Sequence, residues 1–146
     1  RSGSRLPLMP ALAVAAACFW AWHLPAAYAA ALSDDVVYWW MQASLLGSAT
    51  AFWHAALRAR AGAGVLPALA LALAAAQMGL LGALLTFAPT QLYAPHAFAP
   101  LLWGLAPLAD QQLAGLVMWV PGTLPYAAAI AWTARRRLLA RVAEGT

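Results

Sequence analysis

Residues 65–88 read VLPALALALAAAQMGLLGALLTFA, a run without a charged residue in which only Gln77 and Thr86 are polar. At roughly 1.5 Å of rise per residue, a helix of about 20 residues crosses the roughly 30 Å hydrocarbon core of a bilayer, and this run is long enough. Inside a bilayer the backbone has no water to bond, so the segment must pair its own amides and carbonyls as a helix. The alternation of polar and apolar residues that marks a barrel strand is absent.

Outward from this run the pattern repeats. Arg5 is followed by no charge until Asp34, Asp35 by none until Arg58, Arg60 by none until Asp110, and Asp110 by none until Arg135. Helices are predicted over 8–24, 35–57, 65–88 and 110–134. Composition agrees, because 65% of residues are hydrophobic, 8% are charged and the mean hydropathy is +0.74, more apolar surface than a water-soluble domain of this size can use. The sequence therefore predicts an all-α fold, an integral membrane bundle of about four transmembrane helices. Residues 1–7 form a flank, 8–134 the membrane domain and 135–146 a basic tail.

Arginine sets the expected topology. Arg1 and Arg5 precede the first helix, Arg58 and Arg60 lie between the second and third, and Arg135, Arg136, Arg137 and Arg141 follow the fourth. All fall on one side, and the positive-inside rule makes that side cytoplasmic, with both termini inside and the loops near 25–34 and 89–109 outside. Tryptophan fits this layout: Trp20, Trp22, Trp39, Trp40 and Trp103 fall at the outer boundary, Trp53 and Trp132 near the inner one, and Trp119 alone is deep. The pI near 10 follows from the same basic fringe, and no basic patch interleaved with aromatics suggests nucleic acid. The lone Cys18 lies within an apolar span and gives no information on compartment. The opening RSGSRL, without an initiator Met or the features of a signal peptide, is expected of a trimmed or partial chain.

Ionisable groups in or beside hydrocarbon are costly, and most of those present gather at the expected outer face. His23 ends the first helix in AWHLPAAY, where Pro25 removes an amide donor. Asp34 and Asp35 open the second helix, where capping of free amides is their expected role. The loop PTQLYAPHAFAPLLWGLAP, with Tyr93 and His96, is long and rich in proline and aromatics, as an ordered cap would be. The fourth helix opens as DQQLAGLVMWVPG, placing Asp110, Ala114 and Met118 on one face with Gln111 and Gly115 alongside. Pro121 and Pro125 predict a kink in its middle. Ala75, Gly79 and Ala83, with Gly82 adjacent, predict a close helix approach. His54 lies beside Arg58 at the inner end and is left out of the outer group.

These segments carry a resemblance. WHLPAAY at 22–28, LLGALLTF with a following tyrosine at 80–93, and DQQLAGLVMWVPG at 110–122 resemble caa3-type cytochrome c oxidase assembly factors of the CtaG family, in the family's order and over most of the chain. The resemblance implies a multi-pass protein of the bacterial plasma membrane that helps mature a haem–copper oxidase and handles copper at the outer face. Family members are usually longer, and many carry further histidines where this chain has YWWMQASL.

On that reading His23 and His96 are expected to supply imidazole, Asp110 to supply or orient a ligand, and Met41 or Met118 to complete a Cu(I) site, imidazole and thioether both suiting copper. The expected partners are the lipid bilayer, haem–copper oxidase subunits and a second copy of the chain. The alternative is a non-catalytic scaffolding subunit docked onto a respiratory oxidase. A haem carrier is disfavoured because His23 and His54, the two helical histidines, sit at opposite faces. No catalytic triad, phosphate loop or carboxylate pair at a common depth suggests an enzyme, and no charge relay crosses the core.

Overall fold

The computed structural model describes residues 7–59 and 65–144. Among them there are helices and turns and no strand. Five α-helices follow in order: α1 (Leu8–Trp22), α2 (Pro25–Ser33), α3 (Asp35–Leu57), α4 (Leu66–Phe87) and α5 (Pro107–Glu144). Two short 3-10 turns, Ala94–His96 and Ala99–Trp103, lie between α4 and α5.

The helix predicted over 8–24 ends at Trp22, because Pro25 has no amide hydrogen and the chain turns at His23 and Leu24. What the sequence suggested as an outer loop, near 25–34, is the nine-residue helix α2, bent by 75° from α1. Pro25 serves as its first residue, where a missing amide hydrogen is harmless. Asp34 then caps α3 as expected, its carboxylate accepting from the amides of Val36 at 2.8 Å and Val37 at 3.0 Å.

At the other end of the sequence α5 starts three residues before the predicted 110 and runs on through the basic segment to Glu144, with Pro121 and Pro125 inside it. At roughly 57 Å by helical rise it outreaches the hydrocarbon core. The segment 135–144 is thus the helix's continuation.

By length and composition, α4 and α5 can cross a membrane, and α1 with α2 makes a third span if the bent pair is one. That is two or three crossings where the spacing of charges suggested about four. The helix that falls short is α3: it is 23 residues long but carries Gln42, Ser44, Ser48, Thr50 and His54. Ser44 and Ser48 return their hydroxyls to the carbonyls of Met41 and Leu45, which satisfies them within the helix.

Two apolar clusters fix how the helices run. Ala11 and Leu12 of α1, Phe52 and Ala56 of α3, Ala70, Leu71 and Ala74 of α4 and Ala129 of α5 form one. Leu81, Leu85 and Tyr93, joined by Phe19, Trp20, Tyr28 and Met118, form the other. The start of α1, the end of α3, the start of α4 and the later part of α5 therefore share one end, here the arginine end. The opposite end, the loop end, holds α2 and the 3-10 turns.

The most extensive packing is between α4 and α5, and it depends on glycine. A β-carbon on Gly115 would lie 2.6 Å from the Gly82 carbonyl oxygen and 2.7 Å from Thr86 Oγ1, and one on Gly82 would lie 2.8 Å from the Gly115 carbonyl. The close approach thus runs through Gly82 and Gly115. Ala75, Gly79 and Ala83, expected to make it, line an open groove beside Trp119 and Tyr126. On α5, Gln111 and Gly115 are buried while Ala114 is exposed, so the face that meets α4 is one residue over from the Asp110–Ala114–Met118 stripe. Trp119, half-buried on α5, lies beside Gly79 and Phe87 of α4.

Candidate functional site

The first turn of α5 organises the loop end. Asp110, Gln111 and Gln112 are consecutive, so their side chains fan out over more than half a helical turn, and each reaches a different part of the segment after α4. Gln111, 5% exposed, accepts from the Leu92 amide at 2.7 Å and donates to the Thr90 carbonyl at 3.3 Å. Gln112 donates to the Ala88 carbonyl at 3.4 Å. A buried amide is tolerated only when paired, and these pairings hold the strand of chain that leads to Tyr93 and His96.

Asp110 makes the third contact, one carboxylate oxygen lying 3.5 Å from His96 Nδ1. The other imidazole nitrogen, Nε2, is 2.8 Å from the Tyr28 hydroxyl. A carboxylate beside Nδ1 favours the tautomer with its proton there, which leaves the Nε2 lone pair to accept the Tyr28 O–H. The Tyr28 and His96 rings also stack, with centroids 5.7 Å apart and 21° between planes. Three elements, α2, the 3-10 turn and α5, thus meet on one imidazole.

Tyr93 extends the cluster to His23. Its hydroxyl donates to the His23 carbonyl at 2.6 Å, and its ring meets Tyr28 edge-on at 5.0 Å. Burial pushes the Tyr93 hydroxyl above the ordinary phenol range, with the nearby Tyr28 adding to it, so it stays a donor. The His23 imidazole itself turns back along α1, Nδ1 donating to the Phe19 carbonyl at 2.7 Å. That bond sets its tautomer and leaves Nε2 with a lone pair. His23 also borders an apolar cleft of about 560 Å³ between the α1–α2 elbow and the end of α4.

The expected ligands are therefore brought together only in part. His96 and Asp110 are partners, and His23 is tied to their cluster through its backbone. Met118 packs against the cluster of Leu81, Leu85 and Tyr93. Met41 of α3 is buried at 6% exposure, one turn from Ser44, which receives the Trp22 indole at 2.8 Å. Among the described residues no three His, Cys, Asp or Glu side chains converge as a metal-binding group.

The sequence did not reveal the parts played by Tyr28, Gln111 and Gln112. A signal was present, because two amides opening an apolar helix need partners, and the only unpaired backbone nearby in sequence is the loop before them. Tyr28 gave no such signal, since its reach to His96 depends on the bend at Pro25.

No curated protein and no solved structure matches the chain. The model of the family described as cytochrome c oxidase caa3 assembly factor matches residues 6–139, which takes in every α-helix up to the basic end of α5 and all of the loop-end cluster. The chain belongs to the family of cytochrome c oxidase caa3 assembly factors.

Proposed function

We propose that this assembly factor handles copper as cargo at the periplasmic face of the bacterial plasma membrane, passing it to subunits of a haem–copper oxidase, and that it does no catalysis of its own. The proposed topology has four crossings, with α3 beside α1 as the fourth, both termini cytoplasmic and the loop end outside. All eight arginines of the sequence then lie on the inner side. Residues 8–134 are the membrane domain in this reading.

The observation that carries it is the order Asp110, His96, Tyr28. A carboxylate on one imidazole nitrogen is the support that metal-binding histidines receive, since it fixes the tautomer and raises the basicity of the other nitrogen. Here that other nitrogen holds a tyrosine hydroxyl, a weak partner that a metal ion displaces. Asp110 is thus the orienting group and His96 the ligand, with His23 Nε2 the second imidazole. The Met118 thioether, packed against the cluster that holds Tyr93, is the soft donor of this reading, with Met41 the alternative. Two imidazoles and a thioether suit Cu(I), and so open a shell favours release over storage.

The alternative of a scaffolding subunit draws support from the absence, among the described residues, of any three-member His, Cys, Asp or Glu group. Cu(I) loading of the detergent-purified protein under reducing conditions separates the two. About one copper per chain, lost in the His23→Ala/His96→Ala variant, is the expected result. Binding that persists in that variant excludes the site, and no binding in either protein leaves the scaffold.

A further inference from the structure

The arginine end holds a second polar feature, unconnected with the histidine cluster. Arg135, Arg136 and Arg137 follow Thr133 by two to four residues, and Arg136 is held in place by two contacts. Its guanidinium lies 4.7 Å over the Trp132 ring, and Nη1 donates to the carbonyl of Leu57, the last residue of α3, at 3.5 Å. Arg137 lines the same shallow recess, which Thr133 of α5 and Pro67 in the first turn of α4 close from the other sides. Among the described residues no side chain caps that end of α4, and the amides of its first turn add to the positive potential.

The charge is unbalanced. Among the described residues none of Arg58, Arg135, Arg136 and Arg137 has a carboxylate partner, and the one contact between a carboxylate and a basic side chain, Asp110 with His96, lies at the far end. Of the four acids in the chain, three lie at the loop end, and Glu144 is about 10 Å beyond Arg137 along the helix. The recess also sits at a defined level. Trp132 is 44% exposed, and Trp53 packs on Tyr126 with ring centroids 4.9 Å apart, a band of aromatics like those found where hydrocarbon gives way to head groups.

We propose that this recess binds the phosphodiester head group of an anionic phospholipid. Arg136 is already fixed by Leu57 and Trp132, so little side-chain freedom is lost on pairing with phosphate, and Arg137 supplies the second guanidinium. The level of the aromatic band selects a lipid over a soluble anion, because acyl chains of a ligand held there continue directly into the bilayer. A lipid so held joins the ends of α3, α4 and α5 where the apolar packing stops.

The test is lipid retention by the full chain, purified in neutral detergent and titrated with phosphatidylglycerol or phosphatidylcholine, read by native mass spectrometry. One phosphatidylglycerol is expected to be retained in preference to phosphatidylcholine, with apparent affinity falling about fivefold or more in Arg137→Gln. The Arg136→Gln/Arg137→Gln variant is expected to lose the preference. Arg137 makes no bond that links helices among the described residues, so its single variant tests the site even if the double variant does not fold. Arg135→Gln removes the same charge outside the recess and is expected to change affinity by less than about twofold. Equal retention of both lipids, an equal loss in Arg135→Gln, or displacement of the lipid by inorganic phosphate would overturn the proposal.

Discussion

The two ends of this bundle are held together by different forces. At the arginine end, Phe52, Ala56, Ala70 and Leu71, none more than 2% exposed, lock together by shape, with the Arg136 bond to Leu57 a peripheral polar contact between helices. At the loop end, Tyr28, Tyr93, His96, Asp110, Gln111 and Gln112 bond across elements through their side chains. Between helices in a bilayer there is no hydrophobic force, since lipid is as apolar as leucine, so stability comes from close packing and hydrogen bonds. The difference teaches that packing fixes the bundle and leaves the polar end free to carry chemistry.

Substitution at the glycine crossing that joins the two ends should have the largest effect. Gly115→Leu places a side chain against the backbone of Gly82 and Thr86, which cannot rotate away. A loss of about 3 kcal/mol or more is expected, with a marked fall in thermal midpoint in detergent. Phe52→Ala, in the arginine-end core, should cost about 2–3 kcal/mol, below the 3–5 typical of water-soluble cores, because the transfer contribution is small where the alternative environment is lipid. A full soluble-protein penalty, seen by the same melt, would break the comparison.

Loop-end changes should act locally. Gln111→Leu strands the Leu92 amide and the Thr90 carbonyl and should cost about 1–3 kcal/mol, while limited proteolysis finds cleavage confined to 89–106. The smallest effect on stability and the most informative belongs to Tyr28→Phe. It removes the hydroxyl from His96 Nε2 for about 0.5–1.5 kcal/mol, yet Cu(I) affinity should rise because the competing partner is gone. A fall in both would place Tyr28 among the ligands.

How far the sequence carried this picture differs along the chain. The runs around 65–88 and 35–57 are legible because uncharged length and a capping Asp34 set helix ends by local rules. The elbow at 23–25 was legible as a stop and not as a change of direction, since proline removes a donor without saying where the chain goes next. The end of α5 was missed because a basic segment after an apolar one marks the membrane boundary and says nothing of whether the helix continues. In the site, the residue types of His96 and Asp110 were readable, but their partnership needed Gln111 and Gln112 to pin the loop, a tertiary effect that no spacing encodes.

The most direct test of the central claim is the copper-to-haem ratio of the caa3-type oxidase purified from cells that carry the parent protein, the His96→Ala variant or no copy of it. An oxidase with its haem retained and its copper depleted is expected in the variant, close to that of cells without the protein. An oxidase with a full copper complement in cells lacking the protein, or haem and copper lost together in the variant, would contradict copper handling by the loop-end site.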